Sequence, residues 1–139
     1  MVAAVTLPLA AFFVFGMGPE SEGTLRVSGP NGDFTVEGAE CARGAEDYDV
    51  ALGRREAGRA LLVRAESGAT RVLIAPPGCA GLDCARALER DDCERFEALV
   101  RDGDHLANRY PVLDGHLRLR CASAADSSVE GSITFQGCE

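Results

Sequence analysis

The sequence predicts a mainly β domain of the α+β kind: a small antiparallel β-sandwich or flattened barrel, stabilised by disulfides, with one helix inserted near residues 83–102. Three observations carry this. Short runs of alternating apolar and polar residues recur along the chain, turn-forming residues cluster between them, and six cysteines are distributed through 139 residues.

The first elements are "TLRVSGPNGDFTVEG", Thr24 to Gly38. Leu25 and Val27 alternate with polar neighbours, as do Phe34 and Val36, and the intervening "GPNG" is a hairpin signal because Asn-Gly tolerates positive φ. Three strand-like runs follow, "YDVALG", "ALLVRAE" and "TRVLIA", separated by "RREAG" and "ESGA". A helix over "GRREAGRALLVRAE" competes on propensity, but Gly53 and Gly58 interrupt it and the next run is rich in β-branched residues. Pro76 and Pro77 then stop any element. Asp83 to Asp102 is the helix candidate: Asp83 caps its start, Gly103 ends it, and Leu88, Phe96, Leu99 and Val100 share one side. Asp92 and Arg95 intrude on that side, so a break at Asp91 is an alternative. After a loop, "GDHLANRYPVLDG", the plainest strands close the chain. Leu117, Leu119 and Cys121 alternate with His116, Arg118 and Arg120; Val129, Ile133 and Phe135 then alternate with polar residues.

The opening run, Val2 to Met17, is uncharged and apolar. As a helix it spans about 24 Å, short of the ~30 Å hydrocarbon core of a bilayer. It therefore fits the apolar part of a secretory signal, with small residues Gly16 and Gly18 for a peptidase. The missing basic residue before it and Pro8 within it weaken that fit, and a retained membrane anchor is the alternative. The expected division is residues 1–18 as signal peptide or anchor and residues 19–139 as a single exported domain, periplasmic or extracellular.

All the ionisable side chains follow Gly18, and the net charge is −8. Such a surface repels phosphate backbones, which disfavours nucleic acid as a partner. Every one of the 14 basic residues is arginine. They are scattered rather than clustered, which reads as coding bias and not as a recognition patch.

In an exported chain, Cys41, Cys79, Cys84, Cys93, Cys121 and Cys138 read as disulfides. Cys84 and Cys93 on one helix would lie about 13.5 Å apart on opposite sides, beyond the ~4.4–6.8 Å that a bridge allows. Cys121 and Cys138 lie roughly 30 Å apart in a straight hairpin. Cys41 with Cys138 is the favoured pair, since each follows a strand. Cys121 then reaches one of the three clustered cysteines and ties the helix to the sheet.

No metal or cofactor is expected. Cys79 and Cys84 have the outer limit of zinc-knuckle spacing without a second knuckle, and His105 and His116 are too far apart to supply one. A thioredoxin-like Cys-x-x-Cys is absent, which leaves only Cys84 at a helix start for redox chemistry. The acidic clusters Asp102 to His105 and Glu46 to Asp49 lack the calcium-loop pattern, and a solvated acidic face is the default for both. For catalysis there is no nucleophile elbow and no metalloprotease motif. His105 beside Asp104 has no recognisable nucleophile, and Asp91 and Asp92 point to different sides of a helix.

Binding remains. The face with His116, Arg118 and Arg120 could engage a protein or a cell-surface glycan, against the simpler reading that these arginines pair with carboxylates such as Glu130 across the hairpin. The expected role is non-catalytic binding or structural support. The alternatives are a small secreted hydrolase or redox enzyme with a dispersed site, and the outer domain of a membrane-anchored complex. Membrane contact would run only through residues 2–17, if uncleaved.

Overall fold

Two five-stranded antiparallel sheets stack face to face in the computed structural model, which describes residues 20–30, 32–44, 47–107, 109–123 and 126–139. The candidate signal or anchor, residues 1–18, lies outside the described residues, as do Asn31 and Glu46. In chain order the strands are β1 (Glu20–Ser28), β2 (Phe34–Glu37), β3 (Cys41–Arg43), β4 (Val50–Arg54), β5 (Gly58–Arg64), β6 (Thr70–Ala75), β7 (Arg86–Ala87), β8 (Cys93–Ala107), β9 (Tyr110–Ser123) and β10 (Ser127–Cys138). The first sheet has the order β2-β1-β10-β9-β8 and the second β3-β4-β5-β6-β7.

The alternation in the sequence is the alternation of the sheets. Leu25 lies opposite Val36 and Val27 opposite Phe34, so the "GPNG" turn closes the β1–β2 hairpin as expected. Leu117 and Leu119 of β9 and Val129, Ile133 and Phe135 of β10 all point inward and are buried. They meet Val50, Leu52, Ala60, Leu62, Val72 and Ile74 of the second sheet in one core. Phe135 is the bulkiest fully buried side chain. Gly115 makes room for it, since a Cβ there would come within 2.6 Å of the ring.

The second sheet is buried on both faces, which explains why "ALLV" and "VLIA" read as continuous apolar runs. Its outer face carries Ala51, Leu61, Leu73 and Ala75, and Cys79, Leu82 and Ala85 from the connection after β6 pack against it. Arg59 is buried beneath the same connection, where its Nη2 donates to the Cys79 carbonyl at 2.9 Å.

The inserted helix is the main correction. Residues 83–102 hold only a 3₁₀ turn, Arg90–Asp92, between the two-residue β7 and the long β8. Phe96, Ala98 and Val100 face the core, while Glu97, Leu99 and Arg101 face outward, a period of two. Local helix propensity loses to pairing with β9, which β8 follows for most of its length. The intruding Asp92 and Arg95 were the sign of it. Gly103 is no helix stop; it lies inside β8, where a Cβ would come within 2.9 Å of Asp114 Oδ2 and Val112 Cγ2. The supposed loop "GDHLANRYPVLDG" is strand on both sides of a hairpin tip, with Leu106 opposite Pro111 and Ala107 opposite Tyr110. Pro111 is accommodated because β10 ends where Cys138 meets Leu113, leaving β9 with one neighbour there.

All six cysteines are bonded. Cys41–Cys138 joins β3 to β10 and so crosses between the sheets. Cys93–Cys121 ties β8 to β9 at directly opposed positions, so Cys121 does reach a clustered cysteine, but the partner is a strand rather than a helix. Cys79–Cys84 closes a short loop over the outer face of the second sheet.

The closed loops differ greatly in length, with sequence separations of 97 for Cys41–Cys138 and 5 for Cys79–Cys84. Loop-closure entropy then assigns about 4–5 kcal/mol to the first and about 2 kcal/mol to the second. Replacing each pair by alanines should reproduce that order in urea titrations; equal losses would contradict it.

Candidate functional site

The predicted face lies on β9, the strand between β10 and β8. His116, Arg118 and Arg120 project from the outer surface of the first sheet, with Arg118 and Arg120 exposed and His116 half-buried. The arginines are not free. Arg120 reaches Glu94 at 3.6 Å and Glu130 at 3.8 Å, and Glu130 also meets Arg26 at 3.4 Å. Arg118 lies 3.9 Å from Glu97, which Arg95 approaches to 3.1 Å. The result is a ladder of alternating charge across β1, β10, β9 and β8. Arg120 stands directly opposite Glu130, and Arg118 opposite Glu97. Each arginine of the face therefore has at least one carboxylate within ion-pair distance.

One residue of each acidic cluster converges on Arg64. Asp49 and Asp102 both engage Arg64, at 3.6 and 3.1 Å, and Asp49 Oδ2 also accepts from the Arg64 backbone N–H at 2.6 Å. Arg64 ends β5 in one sheet and Asp102 lies on β8 in the other, so this trio is a cross-sheet tie. Among the described residues, no three His, Cys, Asp or Glu side chains gather in a way that would hold a metal ion. Asp104 and His105 are both exposed on β8. Asp91 and Asp92 occupy the exposed 3₁₀ turn. Cys79 and Cys84 are bonded to each other and offer neither a knuckle nor a thiol.

An apolar concavity lies elsewhere, at the end of the sandwich where β10 begins. Here the β1–β2 turn faces the connection that follows β6, and a groove of about 330 Å³ opens between them. Val27 and Ile74, both nearly fully buried, contribute from the two sheets, and Phe34 lies half-buried at the start of β2. Pro76, Pro77 and Cys84 form the exposed opposite wall. The Phe34 ring is seated by Gly58, whose φ is +112°; a Cβ there would come within 2.3 Å of the ring.

Arg86, on β7, also lines the groove, and its Nη1 donates to Ser127 Oγ at 3.3 Å. Ser127 is 5% exposed. A smaller recess of about 150 Å³ lies on the other side of this pair, beside Leu88, Cys121 and Val129. Nothing in the sequence marked Arg86 or Ser127. The flanking features were legible only as a hairpin turn, "GPNG", and a stop, Pro76-Pro77, because their convergence depends on how the two sheets stack.

No family model, curated protein or solved structure matches the chain. The fold itself defines the class: a disulfide-bonded antiparallel β-sandwich of two five-stranded sheets. Among the described residues no helix is long and apolar enough to cross a membrane.

Exposed ion pairs contribute little, about 0–1 kcal/mol each. Replacing Arg118 and Arg120 by alanine should therefore shift the urea midpoint only slightly. Arg64→Ala, which leaves two neighbouring carboxylates without their shared cation, should cost more, about 1–2 kcal/mol. The reverse order of effects would refute this account of the two clusters.

Proposed function

We propose that residues 19–139 are an exported domain, periplasmic or extracellular, that acts without catalysis as a binding module, with the groove between the β1–β2 turn and the Pro76–Arg86 connection as its ligand site. The carrying observation is that all six cysteines are engaged in three bridges. Bridges of this density persist in an oxidising compartment and are rare where glutathione keeps thiols reduced.

The binding role is supported by the shape and chemistry of the groove. It combines an apolar lining drawn from both sheets with a few polar groups at one end, the usual composition of a small-ligand site. The rigid elements around it are the ends of β1, β2, β6 and β7, the last held against β6 by the pairing of Ile74 with Arg86. The arginines of the outer sheet face each have a carboxylate partner, whereas the groove offers an apolar lining as well, which favours the groove. On this reading residues 1–18 are a leader that directs export and is then removed.

Two measurements test the proposal. Protein isolated from its own host should show no reactive thiol before reduction and six afterwards, matching the three bridges. N-terminal sequencing of the exported product should begin near Pro19. Two or more free thiols in the native protein would count against export. Recovery of the intact chain only from membranes would replace the leader with an anchor.

A further inference from the structure

We infer that the groove takes a small organic acid with an apolar body, its carboxylate held by Arg86 and Ser127 and its hydrocarbon part laid against Val27, Phe34 and Ile74. This rests on the reading of the groove as the binding site.

The polar end carries the argument. Arg86 is the basic residue lining the groove. Its guanidinium has five N–H donors, of which one goes to Ser127 Oγ. Among the described residues Arg86 has no carboxylate within ion-pair distance, a state it shares with several other arginines, but of these it is the one that lines the groove. What sets Arg86 apart is its place: an exposed guanidinium with N–H donors to spare at the edge of an apolar groove. Ser127 is buried and accepts from Arg86, so its hydroxyl proton is free to point at a second acceptor. Together they present a planar donor fork and a hydroxyl, the pattern that fits a carboxylate.

The rest of the site sets the size and excludes other chemistries. A volume of about 330 Å³ lies at the small end of ligand pockets. One cation on an acidic surface is too little for a polyphosphate or a sulfated glycan. Asp33, exposed on the β1–β2 turn, also lines the groove and works against any anion there. Its field is weakened by solvent and salt, whereas contact with Arg86 is direct.

The experiment uses octanoate and its uncharged counterpart octanol as probes, with the oxidised full chain and amide NMR shifts to locate binding. Octanoate should shift the amides of Gly32 and Phe34. Arg86→Gln should weaken octanoate about tenfold while leaving octanol unchanged. Asp33→Asn should tighten octanoate about two- to threefold, again without effect on octanol. Arg86 is exposed, so its replacement leaves the core intact, and an unchanged urea midpoint verifies that. Octanol binding as tightly as octanoate, or Arg86→Gln binding octanoate like the parent, overturns the acid assignment while the groove stands as a site. Failure of both probes to shift the groove amides overturns the site itself.

Discussion

The apolar layer shared by the two sheets is what the rest of the molecule depends on. Neither sheet could stand alone: each presents a row of leucines, valines or isoleucines on one face, and only the other sheet covers it. Phe135 is the bulkiest side chain fully buried in that layer, and its ring leaves room only for a glycine at position 115 on the neighbouring strand. Because the layer sets the spacing of the sheets, it also sets the features at its margins. Cys41 can reach Cys138, Arg64 can reach Asp102, and Val27 comes over Ile74 to form the groove, all because two faces packed at one distance.

The three bridges act on different scales of that arrangement. One closes a loop with a sequence separation of 97 and joins the sheets, one joins neighbouring strands, and one shapes a loop. A domain of this size has limited core volume, and crosslinks compensate by restricting the unfolded chain. The loop bridge has a local task as well. It shapes the segment that covers Leu61 and Leu73 and supplies the proline wall of the groove.

Much of the fold was legible in the residues, because antiparallel sheets with one solvated face repeat every second position. β1, β2, β9 and β10 follow that rule, and so does the hairpin pairing. The stretch from Asp83 to Asp102 was not legible, since Ala, Leu, Glu and Arg favour helix locally and only long-range pairing with β9 overrules them. Cys93 stands opposite Cys121 only if Cys93 lies in a strand, so the bridge and the strand assignment support each other. The groove was invisible for a different reason. Val27, Ile74, Arg86 and Ser127 are ordinary in their own segments and become a site only through the stacking of two sheets.

The direction of β10 gives the molecule a polarity. Its last residue is bridged to Cys41, and β1 enters beside it, with Glu20 opposite Gln136. Its first residue is Ser127, at the groove. Those ends are roughly 35 Å apart along the strand. The chain therefore enters the sandwich, at Glu20, at the pole away from the groove. The covalent tie between the sheets and the opening between them thus sit at opposite poles of one strand.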